Sequence, residues 1–533
     1  MTVSSAAMEA RPRAEAPIVA ERRAVAWWPV SLCIVAGVAL VAGLAVVDGL
    51  PVGVVADDSM YVILARALAT GQGFRYLNVP GLPAGTHFPP GYPALLALVS
   101  LVSPAFPANV VVFKALNALF LAVAAVCIAR LLRRRLGLGA GWSLTAGVMT
   151  AVSVPLLILG SMVLSELCFL ALVLALLPAL ERLVDSPART IDVLLLGAAI
   201  GVCALVRTHG VVLLPAVVLA LSARRRWRDA MLVSAATIAT LLPWQLWVAR
   251  HGGTLPAPML GMYDSYAAWW LRGVRDMGPS MITATVAKTV PETTVMLSVL
   301  FSPVKGGVAH AVTLASIALL AAAACATCWR KLPVTLLFLG GYLAIVVVWP
   351  FQTARFVWAV WPLLLALVVI GASAAASRRD WALPLRAAIV AAFVWVACGY
   401  AAYETRAVKG KWWSSIARAN TARMAPLVRW IIGNTAPGEV VASEYEGAVY
   451  LYANRQALPI VSLTPRQYLH DYTAQENARE GLQPVLDAYP VRTVVVGSGK
   501  AFDAAQYLVK TTPPRLAPRE QFAGGAAYTA LAR

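Results

Sequence analysis

The sequence predicts a polytopic α-helical membrane protein closed by a C-terminal extracytoplasmic α/β domain. Three observations carry this. Apolar runs of about 20 residues, the length that crosses a hydrocarbon core, recur as far as Tyr403. Basic clusters close every second run: Arg11, Arg13, Arg22 and Arg23; Arg130, Arg133, Arg134 and Arg135; Arg224, Arg225, Arg226 and Arg228; Arg330 and Lys331; Arg378, Arg379 and Arg386. Beyond Tyr403 the apolar runs stop and charges of both signs take over.

In chain order, residues 1–26 are polar and Ala-rich and predict a disordered cytoplasmic N-terminus. The apolar run from Ala26 to Val47 is long for a signal-peptide core and reads as a retained anchor. Spans are expected at 27–48, 107–129, 141–163, 166–184, 191–206, 209–223, 229–249, 308–329, 333–350, 356–376 and 385–403. About eleven spans put the N-terminus in the cytoplasm and the C-terminus outside, in a plasma or inner membrane. Residues 27–403 form the membrane domain, with two long outer loops at 49–106 and 250–307. Both loops are rich in Pro, Gly, Trp and Tyr, which predicts short helices folded onto the membrane surface. Residues 404–533 read as a soluble α/β domain. It has a helix over 414–434, a strand in E-V-V-A-S-E-Y, a helix from Pro465 to Tyr489 and a buried strand in V-R-T-V-V-V-G-S.

Composition excludes several functions. The net charge of +19 is accounted for by the basic loop clusters, so nucleic acid is not an expected partner. The seven cysteines lie in expected spans, and Cys325 and Cys328 read as helix packing. G-S-G-K after the last strand lacks the spacer of a phosphate loop. Five histidines without ligand spacing give no metal site, and no cofactor is called for, although a divalent metal stays open.

With only 13% charged residues, an adjacent acid pair stands out. Asp57 and Asp58 follow the first span and open an amphipathic helix. Asp58 can cap that helix, and Asp57 is not needed for the cap. On a helix Asp57 and Tyr61 share a face and can line one pocket. A carboxylate there can accept a proton from an attacking hydroxyl, provided its pKa lies below the working pH. Neighbouring like charges raise one pKa of the pair, so either acid can be the protonated partner. In the second loop Tyr263, Asp264 and Tyr266 offer hydrogen bonds and ring faces to a sugar, or equally an interfacial aromatic belt. His87 can position a substrate hydroxyl.

D-D-S-M-Y after the first span, followed by H-F-P-P-G-Y-P, resembles the first outer loop of GT-C glycosyltransferases. The resemblance is to bacterial relatives of the protein O-mannosyltransferases and the lipid A aminoarabinose transferases. It implies transfer of a monosaccharide from a polyprenyl-phosphate donor on the outer leaflet, with inversion, to a glycan, lipid or protein acceptor. By the same resemblance Asp57 is the general base. Asp-Asp stands where many relatives have Asp-Glu, which alters the reach of Asp58. S-M-V-L-S-E-L-C-F-L gives Glu166 as a supporting or acceptor-binding acid, unless it forms a helix-capping pair with Ser165. Arg207 in A-L-V-R-T-H-G, Lys305 in S-P-V-K-G and Arg355 in Q-T-A-R-F-V-W match the family's basic positions, unless each snorkels to the headgroups. Basic groups aimed at the departing phosphate stabilise its growing charge. A-V-Y-L-Y-A-N-R-Q resembles a segment of the family's outer domains, here read as acceptor recognition or a lid. The alternatives are a flippase or transporter of lipid-linked sugars, and an oligosaccharide polymerase or ligase that uses a polyprenyl-diphosphate donor.

Overall fold

The computed structural model describes residues 15–253, 255, 259–261, 263–351 and 353–531. The expectation of disorder over residues 1–14 lies outside them. The first helix, α1 (Glu15–Ala45), starts inside the stretch expected to be unstructured. The first long loop carries α2 (Ala56–Ala69) and α3 (Gly91–Val102), and α4 (Asn109–Leu131) follows. Then come α5 (Ala140–Val152), α6 (Val154–Gly160), α7 (Glu166–Asp185), α8 (Thr190–Val206), α9 (Leu213–Ala223) and α10 (Trp227–His251). The second long loop carries α11 (Tyr266–Met277) and α12 (Ser280–Phe301). At 22 residues, α12 is longer than the short surface helices expected there. The membrane part ends with α13 (Gly307–Cys328), α14 (Pro333–Val347), α15 (Thr353–Trp358), α16 (Trp361–Ser377) and α17 (Leu383–Lys409).

Each expected apolar run falls on a helix, except 141–163, which falls on the bent pair α5–α6, and 356–376, which spans the end of α15 and α16. Six described helices are long and apolar enough to cross a membrane, or seven with that pair counted as one span; α8, α9, α14 and α16 are apolar but shorter. α7 is buried over most of its surface, with one stripe through Ala175, Arg182 and Asp185 left exposed.

Two carboxylates, Glu404 half-buried and Glu181 buried, explain how breaks in this bundle are tolerated. α5 and α6 meet at a 44° bend, with extended Ser153 between them and Pro155 in the first turn of α6. A helix start leaves N–H groups without partners, and Pro cannot supply one. Glu404 on α17 accepts the Val154 N–H at 3.0 Å, and Tyr400 donates to Ser153 Oγ at 2.9 Å. At the other end of α6, Asn117 on α4 donates to the carbonyls of Gly160 and Met162. The chain is thereby delivered to Ser165 and Glu166 in a fixed path. Glu181, near the far end of α7, likewise receives the Thr335 N–H (2.8 Å) and hydroxyl (2.7 Å) at the start of α14.

The C-terminal unit begins with α18 (Ser415–Asn434) and β1 (Val440–Ser443), as expected. It continues through α19 (Glu446–Ala448), β2 (Ala457–Leu458), α20 (Pro465–Leu469), α21 (Ala474–Asn477), α22 (Gln483–Ala488) and β3 (Val491–Val496). α23 (Gly499–Val509), β4 (Leu516–Phe522) and β5 (Gly525–Ala530) close it. Where one helix was expected from Pro465 to Tyr489 there are several short ones, because the Thr473–Glu476 capping box starts α21 afresh. The sheet order is β2-β1-β3-β5-β4, parallel over the first three strands and antiparallel at β5 and β4.

This unit sits on both long loops. Ala457 N–H donates to the Asn78 carbonyl (2.8 Å), Val52 N–H to the Tyr452 hydroxyl (3.0 Å), and Trp269 Nε1 to the Leu463 carbonyl (2.8 Å). Gly261 in the second loop lies against the Ser462 backbone, where a Cβ would fall 1.5 Å from the Ser462 carbonyl oxygen. No side chain fits at that crossing.

Candidate active site

The acid pair at the start of α2 is split by its surroundings. Asp58 is 1% exposed, and its Oδ1 accepts the N–H groups of Gly53 (2.9 Å) and Ser59 (2.7 Å). Gly53 has φ +93° and packs on Ala448, so Asp58 holds the turn on which the C-terminal unit rests. It does not begin the helix, which starts at Ala56 with Val55 in the capping position and no side-chain cap. Burial, with the charge of Asp57 adding to it, pushes the Asp58 carboxyl up to about 7 against those backbone hydrogen bonds. Asp58 was expected among the reacting residues, yet its carboxylate is turned into this loop and lines no described cavity.

Asp57 points the other way. Its side chain is 26% exposed to a cavity of about 220 Å³. Burial raises its carboxyl, but the Arg355 guanidinium outweighs that, with His87 and Arg207 adding, and holds it below the usual carboxylate range. Asp57 Oδ2 receives Arg355 Nη1 at 2.7 Å, and Oδ1 takes no hydrogen bond from a described residue. The two acids therefore titrate on opposite sides of their ordinary value, and it is Asp57 that stays ionised.

Arg355 is the centre of a buried relay. Its Nε donates to Glu166 Oε1, the same oxygen that lies 3.1 Å from Arg207 Nη1 in an ion pair. Arg207 Nη1 also donates to Ser165 Oγ (3.2 Å), which meets the Tyr61 hydroxyl at 3.1 Å. Phe356 lies under the Arg207 guanidinium, 4.9 Å away. Two carboxylates and two guanidiniums thus balance in a site where Glu166 is 0% and Arg207 7% exposed. Removing either partner of such a pair costs about 3–5 kcal/mol, because the other charge is left buried alone. Arg355 Nη2 and Arg207 Nε are buried without a hydrogen-bond partner among the described residues.

The sequence-derived candidates divide accordingly. Asp57, His87 and Arg355 line the cavity, together with Met60, Phe88, Tyr266, Phe351 and Tyr468. Tyr61, Glu166 and Arg207 stand behind it in the relay. Ser165, weighed as a helix cap, makes no side-chain cap and joins Tyr61 to Arg207 instead. Tyr263 is buried away from the cavity, where its hydroxyl accepts from Asn78 Nδ2 (2.9 Å) and donates to Glu446 (3.3 Å). Asp264 pairs with Arg272 at 2.7 Å and accepts the Ser265 N–H, so its carboxylate is committed to the loop. Its carbonyl meets His87 Nδ1, and burial pushes the His87 imidazolium down toward the neutral form. Lys305 is exposed in the turn between α12 and α13, pairs with no described acid and does not join the site. Among the described residues no group of acids, histidines and cysteines could hold a metal ion.

Tyr468 and Leu463 enter the cavity wall from the C-terminal unit, and no motif marked them. Tyr266 has a second face. It also lines an almost wholly apolar cleft of about 460 Å³ with Ala267, Trp270, Leu271, Ile345 and Trp349. The polar cavity and the apolar cleft meet at that one ring.

No protein-family model and no curated protein matches this chain. Solved structures do. ArnT from Cupriavidus metallidurans bound to undecaprenyl phosphate matches with a TM-score of 0.53 at 12% identity, over 94% of this chain and 98% of that one. The archaeal oligosaccharyltransferase AglB from Archaeoglobus fulgidus, in complex with an inhibitory peptide and a dolichol-phosphate, matches with a TM-score of 0.54 at 12% identity, over 91% and 72%. ArnT in the apo state matches at 0.53 and 13%, over 93% and 97%. At this identity the likeness establishes the fold alone, a polytopic helical membrane fold with a small C-terminal sheet.

Proposed function

We propose that this chain, with its GT-C fold, is an integral-membrane glycosyltransferase that moves a monosaccharide from a polyprenyl-phosphate donor to an acceptor hydroxyl, with inversion. One observation carries the reading: an ionised Asp57, tied through one oxygen to Arg355, faces a sugar-sized cavity that opens beside an apolar cleft. The carrier's isoprenoid chain lies in the cleft and its sugar in the cavity. Two of the structures of like fold hold a polyprenyl phosphate or dolichol-phosphate, which supports the same class of carrier here.

The acceptor hydroxyl attacks the anomeric carbon while Asp57 Oδ1 takes its proton. The bond from that carbon to the phosphate oxygen breaks, and polyprenyl phosphate leaves with added negative charge. Arg355 Nη2, buried and otherwise unpartnered, is the donor for that charge, and Glu166 and Arg207 hold the guanidinium in place. A donor fixed before reaction needs no reorganisation in the transition state, and removing one such group typically costs about 3–4 kcal/mol.

The test is transfer in proteoliposomes from a panel of labelled polyprenyl-phosphate monosaccharides, wild type beside a folded Asp57→Asn. Release of free polyprenyl phosphate by wild type alone supports the reading and names the sugar. Release of polyprenyl diphosphate from an oligosaccharide donor, or passage of labelled lipid across the bilayer without turnover, replaces it with the ligase or the flippase.

A further inference from the structure

The cavity wall formed by the C-terminal unit has an occupied back. Leu463 and Tyr468 face Asp57's cavity. Residues of the same short stretch, Thr464, Arg466 and His470, face a separate groove of about 540 Å³ completed by Asp276, Ser280 and Glu480. The partition between them is pinned from α12, where Lys288 Nζ donates to the Tyr468 carbonyl (3.3 Å) and lies 5.4 Å from the centre of its ring. Trp269 holds Leu463 from α11.

The groove's chemistry is opposite to that of the apolar cleft. Glu480 accepts from the Tyr472 hydroxyl at 2.8 Å, while the side chains of Asp276, Arg466 and His470 make no hydrogen bond or ion pair with a described residue. Two carboxylates accept and one guanidinium donates in several directions, while Ser280, whose hydroxyl donates to the Met277 carbonyl, is left to accept and Thr464 already accepts the Gln467 N–H. Such a set fits a neutral polyhydroxyl ligand. It does not fit an anionic one, since the acids outnumber the arginine, and it offers little to an apolar one.

We infer that this groove binds the acceptor as a neutral saccharide chain, seated on the side of the Leu463–Tyr468 partition away from Asp57. The inference rests on the transferase reading above and adds the class of acceptor and its seat.

The experiment uses the full chain in nanodiscs with maltohexaose, mannohexaose and arabinohexaose as neutral probes and hexagalacturonate as the anionic one, read by saturation-transfer NMR. Wild type is expected to bind at least one neutral probe and to prefer it to hexagalacturonate. Arg466→Ala and Asp276→Asn, both at exposed positions where folding is not at stake, are each expected to weaken that binding about tenfold. Asp57→Asn is expected to leave it within about twofold, because the groove lies behind the partition. No binding of any neutral probe, preference for the anionic one, or binding that survives both groove variants and is lost in Asp57→Asn overturns the inference. Binding of undecaprenyl phosphate is measured on the same samples. If the lipid binds and the saccharides do not, only the groove assignment fails; if the lipid does not bind, the transferase reading fails with it.

Discussion

Replacing Arg355 with glutamine removes the guanidinium that opposes the burial of Asp57 while keeping a side chain of similar reach. Asp58, one residue on, shows what burial does when no guanidinium faces a carboxyl: it titrates at about 7 against an ordinary 3.8. That interval corresponds to about 4 kcal/mol for Asp58, and the same burial acts upward on Asp57 once its guanidinium is gone. In the wild type the Asp57 carboxyl lies below 3.8, so kcat/KM is expected to stay flat on the acid side through neutral and mildly acid pH. In Arg355→Gln the acid limb is expected to move up, because burial is then no longer opposed by the guanidinium. The assay is initial-rate transfer across pH 4.5 to 9 in the same proteoliposomes. Loss of the phosphate contact lowers the whole profile without moving its limb, so the limb's position reports Asp57 alone. A variant that is slower by any factor but keeps the wild-type acid limb refutes the electrostatic assignment.

Two further outcomes are expected. Ala267→Trp fills the apolar cleft without touching the acid relay and is expected to raise the KM for the lipid donor at least about tenfold with kcat nearly unchanged, measured with long-chain and truncated donors; equal effects on both donors would remove the cleft as the chain's seat. For Asp58 the folded carboxyl binds its proton more tightly than the unfolded one. Folded stability is therefore highest below 3.8 and falls as pH rises to about 7, by up to about 4 kcal/mol. Asp58→Asn cannot ionise, so its melting temperature in detergent is expected to fall less than that of wild type between pH 5 and 8; parallel slopes would show that Asp58 is not the group responsible.

Much of this molecule was legible because its membrane part obeys a single rule, the length of apolar runs between basic clusters. Asp57 stood out as a rare charge beyond the first run, and Glu166, Arg207 and Arg355 through the resemblance of their segments. Their assembly was not legible: Arg355 meets Asp57 across 298 positions, and nothing local says that one guanidinium bridges two acids. Tyr263 and Asp264 looked exposed because their loop is polar and aromatic, yet the C-terminal unit and Arg272 claim their side chains. The β4–β5 hairpin escaped because β4 is an exposed edge with Pro518 and alternating charge, a weak strand signal. The Gly524–Gly525 turn was the signal available.

On the proposed function, Tyr266 borders both the room for the carrier's tail and the room for the sugar. A change there cannot alter one specificity while sparing the other. Descendants adapting to a shorter carrier or a bulkier sugar would have to find paired substitutions, one on each side of that ring. Variation at 266 should accordingly track variation at Ala267 and Trp270 on the lipid side and at His87 and Phe351 on the sugar side. Divergence in this lineage is then a matter of epistasis centred on one aromatic position.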